Sequence, residues 1–239
     1  MFDRLTQPLT NWLKQTDLVQ NTCPLCSEPS PKLICETCRE MLPTITHQCY
    51  QCGLPLSSNE TNSTALRCGQ CLQSPPHFDV CISPFHYALP INQFITQLKF
   101  RQQLHYANIL SELLISKIEQ HSENLPECII PVPLHRTRLR QRGFNQAIEI
   151  ARPIAKKYDV RLDTSSCTRV ISTPPQMEQN KKARQKNIRN AFEVSSDFHS
   201  KHIAIVDDVM TTGHTLNELS RVLRNQGVTR IQIWAVARS

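Results

Sequence analysis

The chain is short of glycine, with five in 239 residues, and nowhere approaches 18 consecutive apolar residues. The second absence excludes a membrane-spanning helix, which needs about 20 such residues. Asp3 and Arg4 stand where a secretory leader would begin its apolar stretch, so a soluble, unexported, cytoplasmic protein is expected. At roughly 100 to 200 residues per domain, the length allows one large domain or a full domain with a small module, and it excludes a long solenoid. Hydrophobic residues at 39% and charged residues at 20% exclude wholesale disorder, despite 16 prolines. Glycine this scarce is expected only where the backbone requires it. Gly53 and Gly69 sit in or beside cysteine turns, Gly143 and Gly213 in candidate ligand loops, and Gly227 just past a helix end.

Cysteine, by contrast, is abundant, and eight of the eleven fall in four Cys-x-x-Cys pairs: Cys23/Cys26, Cys35/Cys38, Cys49/Cys52 and Cys68/Cys71. Two residues between thiolates let a tight turn aim both sulfurs at one tetrahedral ion, so four pairs supply two complete structural zinc sites. Sequential pairing is preferred, with an interleaved cross-brace as the alternative. A closed four-sulfur site has no position open to substrate, so these ions hold shape and do no chemistry. The segment around them is poor in apolar residues and needs the metal for stability. Cys81, Cys128 and Cys167 fall in or near strands and read as small core residues.

The formal charge of +7 is unevenly spread. Residues 129–192 hold 14 Lys and Arg against 4 Asp and Glu, or +10, which leaves about −3 for the remainder. A local basic face of this kind meets phosphates or nucleic acid, although a solubilising surface is the commoner meaning of a charge run. Phe2, Leu5, Leu9, Trp12 and Leu13 predict a short amphipathic helix within 1–20 that docks on the protein's own body. A cysteine-rich module over 21–76 and an α/β domain over 77–239 follow. Within the latter, a strand over 78–87, helices over 91–98 and 104–120, and a strand over 128–132 are expected. A basic loop, a helix over 145–158, a strand over 202–206, a helix over 215–226 and a strand over 230–237 complete it. Strand, crossover helix, strand implies a parallel sheet. The stretch 172–190 is polar, basic and without apolar periodicity, as expected of a long mobile loop.

The most specific signal is the run from His202 to Thr215. It sets Asp207 and Asp208 at the carboxyl end of a buried strand, then a hydroxyl-rich glycine loop of Thr211, Thr212, Gly213, His214 and Thr215 that opens a helix. Amides and hydroxyls at such a helix N-terminus suit a phosphate, and the carboxylates suit ribose hydroxyls or a phosphate-bound Mg2+. A merely structural role, with the aspartates ending the strand and the loop capping the helix, is the competing reading.

Four apolar residues, two acidic ones and Thr-Thr-Gly-x-Thr resemble the PRPP signature of type I phosphoribosyltransferases. Pro131-Val132-Pro133-Leu134-His135, Arg142-Gly143-Phe144-Asn145-Gln146, and the set Gln176, Arg184, Asn187 and Phe192 narrow the resemblance to the ComF (ComFC/GntX) family of competence-associated proteins. The resemblance implies a type I phosphoribosyltransferase-like α/β fold, a parallel sheet with helices on both faces, preceded by a small double zinc-ribbon-like module. It implies that Asp207 and Asp208 face the ribose and that residues 211–215 hold the 5'-phosphate. Pyrophosphate, or nucleic acid, would meet Arg136, Arg138, Arg140 and Arg142 of the first loop and Lys181, Lys182, Arg184 and Lys186 of the flexible one. The implied function is handling of single-stranded DNA during natural transformation, with PRPP or a similar phosphorylated ribose as ligand and Mg2+ accompanying PRPP. DNA-uptake proteins are the implied partners, and a peripheral place at the inner membrane is compatible with them. The alternative is an active phosphoribosyltransferase, for which no acceptor-base pocket is recognisable, and a third reading is a zinc-stabilised adaptor with a vestigial pocket.

Overall fold

A computed structural model describes residues 21–57, 66–121, 124–171 and 189–239. The helix expected within 1–20 and the cations Lys181, Lys182, Arg184 and Lys186 lie outside the described residues. The chain divides into two compact units, Met1–Leu42 and Pro43–Ser239. The first cysteine set therefore belongs to the small unit and the second to the large one, whereas the sequence grouped both within 21–76.

The small unit carries the antiparallel pair β1 (Asn21–Thr22) and β2 (Pro29–Ser30) and the short helix α1 (Glu36–Glu40). In the large unit, α2 (Gly69–Gln73) is followed by β3 (Val80–Ile82), β4 (Phe85–His86), α3 (Ile91–Arg101), α4 (His105–His121) and β5 (Cys128–Pro131). Then come α5 (Arg136–Arg142), α6 (Gln146–Tyr158), β6 (Arg161–Leu162), the antiparallel pair β7 (Cys167–Arg169) and β8 (Phe192–Val194), β9 (His202–Met210), α7 (His214–Asn225) and β10 (Arg230–Arg238).

Six strands form one sheet in the order β3, β10, β9, β5, β6, with β4 also pairing β10. Every pairing in it is parallel. Ile203, Ala204, Ile205 and Val206 are fully buried, as is β10 from Ile233 to Ala237. Apolar residues at both strand parities are what a sheet covered on both faces requires. On one face Ile203 and Ile205 join Leu216, Leu219 and Leu223 of α7 with Phe192 of β8. On the other, α4 and α6 pack together, and Ser111 bridges them by donating to Ala107 O and, across the interface, to Ile150 O at 2.8 Å.

Three expectations are corrected. The strand read over 78–87 is broken in two at Ser83 and Pro84, because proline has no N–H for the ladder. The strand read as ending at Val206 runs on to Met210, held by β10 through Ala237↔Val209 and Arg238↔Met210. The basic loop before Gly143 is the helix α5, with His135 Nδ1 accepting from Thr137 N and Gly143 closing it at φ 83. No residue of α5 is buried. An apolar stripe was therefore never available to announce this helix.

Candidate functional site

The crossover from β5 leads through α6 to β6 on one side of the sheet, and the crossover from β9 leads through α7 to β10 on the other. The strand order reverses between β5 and β9, one crossover leaving toward β6 and the other toward β10, and this is where parallel α/β sheets open a ligand crevice. Register makes the opening concrete. β5 last pairs β9 at Pro131↔Val206, while β10 follows β9 to Met210, so Asp207 and Asp208 lie where one flank of β9 has lost its partner.

The two carboxylates have different surroundings. Asp208 is 2% exposed and pairs with Lys99 from the last turn of α3. Burial alone would raise its pKa, but the charge and hydrogen bond of Lys99 hold it below the usual carboxylate value. Asp207 accepts from the Asp208 amide at 2.9 Å, and burial, reinforced by the charge of Asp208, holds its carboxyl well above the usual value. Asp207 is thus the member whose ionisation a new donor or cation would favour. It lines an open cleft with residues Val209 to Leu216. The backbone amides and threonine hydroxyls around it suit an anion such as a phosphate.

Gly213 caps α7 in the left-handed region at φ 75, and a Cβ there would stand 2.6 Å from Met210 Cε. No side chain caps α7, so its first amides face the cleft without an internal partner. Burial lowers the pKa of His214, which leaves it neutral at pH 7 beside these amides.

The cations divide by position. Arg142 is half-buried, donates to Gln146 Oε1, and feels the charge of Asp208; burial nonetheless lowers its pKa. Gln146 in turn hydrogen-bonds Asp208, so Arg142, Gln146, Asp208 and Lys99 form one connected set. Asn145 aligns it by capping α6 through Ala147 N and donating to Val132 O at 3.0 Å. Arg136 and Arg140 are exposed on α5. Lys99 went unrecognised in the sequence, since a lysine ending an apolar helix carries no local signal of its partner.

The cysteines form two sets, Cys23/Cys26/Cys35/Cys38 and Cys49/Cys52/Cys68/Cys71, with sulfurs all within 4.8 Å of one another in each. Pairing is sequential, as preferred from the sequence. Cys26 and Cys35 sulfurs lie 3.6 Å apart, and those of Cys52 and Cys68 lie 3.7 Å apart. A tetrahedral ion with Zn–S bonds of about 2.3 Å requires sulfur separations of about 3.8 Å, so each set could hold a metal ion. The two sets repeat one design. Cys23 and Cys49 each open a turn, closed by Ser27 N to Cys23 O and by Gly53 N to Cys49 O, both at 2.8 Å, with Ser27 and Gly53 in the left-handed region. Cys35 and Cys68 each stand at the N-cap of a five-residue helix, α1 or α2, that carries the fourth cysteine. The Cys52 thiol, together with amides that include Cys68 N at 3.2 Å, draws Cys49 down to about 4 against the effect of burial, a ready thiolate for a cation. Cys81, Cys128 and Cys167 are buried, and burial pushes their pKa values up to about 12, 11 and 12, as befits inert core thiols.

Within the large unit, contacts link the second cysteine set to the loop that opens α7. A Cβ on Gly53 would stand 2.9 Å from Cys81 Sγ, which itself lies 3.7 Å from Met210 Sδ, beneath Gly213. Arg238, 7% exposed, runs parallel to this stack. Its Nε donates to Cys52 O at 3.2 Å, and its Nη1 donates to Met210 O at 3.1 Å and to the carbonyls of Thr211 and Ser239. Sequence reasoning missed Arg238 too. The signal was one cation at the end of an apolar strand.

A parallel sheet with this reversal, carrying an acidic pair above an uncapped helix, defines a type I phosphoribosyltransferase fold. Residues 145–239 match the phosphoribosyl transferase domain family. The chain is 34% identical over 210 residues to the DNA utilization protein YhgH of Escherichia coli strain CFT073, covering 86% of this chain and 90% of that protein. It is 34% identical over 213 residues to competence protein F of Haemophilus influenzae, with the same shares covered. Competence protein ComFC of Bacillus subtilis is 26% identical over 203 residues, with 81% and 79% covered. The chain belongs to the ComF family of competence and DNA-utilization proteins. Among the described residues, no helix is long and apolar enough to cross a membrane.

Proposed function

We propose that the protein handles single-stranded DNA in competence-type DNA utilization, and that its cleft takes PRPP or a similar phosphorylated ribose. The cleft at the N-terminus of α7 carries this reading, because it gathers the helix's first amides, the hydroxyls of Thr211, Thr212 and Thr215, and the carboxyl of Asp207 around one opening. In this reading the loop takes the 5'-phosphate and Asp207 accepts from a ribose hydroxyl. Asp208, held by Lys99, fixes the geometry of its neighbour, and Mg2+ accompanies the pyrophosphate of PRPP. Arg136, Arg138, Arg140 and Arg142, with Lys181, Lys182, Arg184 and Lys186, meet pyrophosphate or the nucleic-acid backbone. Both cysteine sets hold zinc with all four positions closed, so the metal shapes the fold and takes no part in chemistry. The names of the relatives supply the DNA connection.

Calorimetric titration with PRPP and Mg2+, and separately with single-stranded DNA, tests this reading. Binding of both ligands is expected, with PRPP lost and DNA retained in Asp207→Asn. Absence of DNA binding refutes it. The intact acidic pair and loop also fit an active transferase, which pyrophosphate release on addition of an acceptor base would establish.

A further inference from the structure

The last turn of α3 carries two neighbours with opposite surroundings. Lys99 turns inward to Asp208, whereas Phe100 is 71% exposed on a helix whose other large apolar residues, Ile91, Phe94, Ile95 and Leu98, are buried. A single exposed apolar residue is ordinary. This one is held: the Arg142 guanidinium stands 5.6 Å from the ring centroid, and Arg142 is tied through Gln146 to Asp208. The ring is thereby anchored beside the crevice with most of its surface in solvent. Arg142 itself ends α5, which adds Arg136, Arg138 and Arg140 and an exposed Leu139 without a single acidic residue.

We propose that Phe100, backed by Arg142, is a stacking platform for one unpaired base of a single-stranded nucleic acid whose phosphates follow α5. The proposal rests on the nucleic-acid reading above and adds how a base is engaged. A flat exposed ring stacks any base through its π-face, and a guanidinium against the same ring strengthens that contact. The charge selects the occupant. A strand brings one phosphate per nucleotide to offset the arginines of α5, whereas an apolar protein surface laid over Phe100 would desolvate those cations without compensation. A duplex has no free base face to offer, so the platform discriminates for single strands.

The test uses the full chain and an oligothymidylate of about ten nucleotides carrying one 2-aminopurine, alongside an all-abasic strand of equal length. Binding to the intact protein should quench the 2-aminopurine. Phe100→Ala should abolish the quench and weaken the base-bearing strand about tenfold, the loss of one stacked base. The abasic strand should bind both proteins alike, with one salt slope. Phe100→Trp should keep the affinity. Unchanged binding of the base-bearing strand by Phe100→Ala, or equal weakening of both strands, overturns the platform while leaving backbone binding in place. Failure of the intact protein to bind either strand sinks the platform and the nucleic-acid reading together. A dimer that Phe100→Ala converts to monomer, without any effect of the base, assigns the ring to a self-association surface instead.

Discussion

Replacing Asp207 and Asp208 one at a time should move stability in opposite directions, although the two are adjacent and chemically identical. Asp208→Asn strips Lys99 of its partner at a site where the two side chains are 20% and 4% exposed. Removing one member of a buried pair costs about 3–5 kcal/mol, and the residual exposure of Lys99 puts the expectation at the low end, about 3 kcal/mol. For a chain of this size, about 2–4 °C of Tm accompanies each kcal/mol, so the midpoint should fall by about 6–12 °C. Asp207→Asn acts the other way. Burial and the Asp208 charge raise the proton affinity of Asp207 in the folded state. The folded protein then binds more protons than the unfolded chain, and stability falls as pH rises from the ordinary carboxylate value of about 3.9 through the raised one. An asparagine has no such loss, so this variant should melt above the native protein at pH 7 and lose the advantage as pH falls toward 4. The lowered pKa of Asp208 gives the opposite slope, with stability present above the unfolded value and lost as pH falls through the folded one. Thermal melts of both variants between pH 4 and 8 in low salt make the comparison. If Asp207→Asn destabilises as much as Asp208→Asn at pH 7, the assignment of Lys99 to Asp208 alone is wrong.

Arg238→Met should lower stability by about 3 kcal/mol, since the carbonyls of Cys52, Met210 and Thr211 lose a charged donor. It should weaken PRPP while leaving the metal content intact, which calorimetry and elemental analysis read separately. The native protein should carry two zinc ions, and Cys49→Ser should leave one; protein purified under reducing conditions with no zinc and an intact fold refutes the metal reading. Gly213→Ala forces a Cβ toward Met210 Cε at positive φ and should cost about 1–3 kcal/mol, with PRPP affinity falling further than Tm accounts for. Equal PRPP affinity in this variant would remove the loop from the binding site.

Much of the architecture was legible because its causes are local. Two residues between cysteines, and four apolar residues before Asp207 and the glycine loop that follows it, each depend on neighbours within a turn, so spacing alone reveals them. The apolar runs at 128–132, 202–206 and 230–237 likewise announced a buried parallel sheet. What the sequence could not decide depends on residues far apart in the chain. Cysteine spacing is compatible with sequential or interleaved sets, and only the closing of the turns at Cys23 and Cys49 onto α1 and α2 chose between them. α5 lacks an apolar stripe because it buries nothing, which left periodicity silent about a helix held by its two caps. Lys99 and Arg238 acquire their roles from α3 reaching Asp208 and from β10 ending beside Cys52 and Thr211. Local sequence sets backbone conformation, but a buried charge finds its partner only once the sheet order has brought distant elements together.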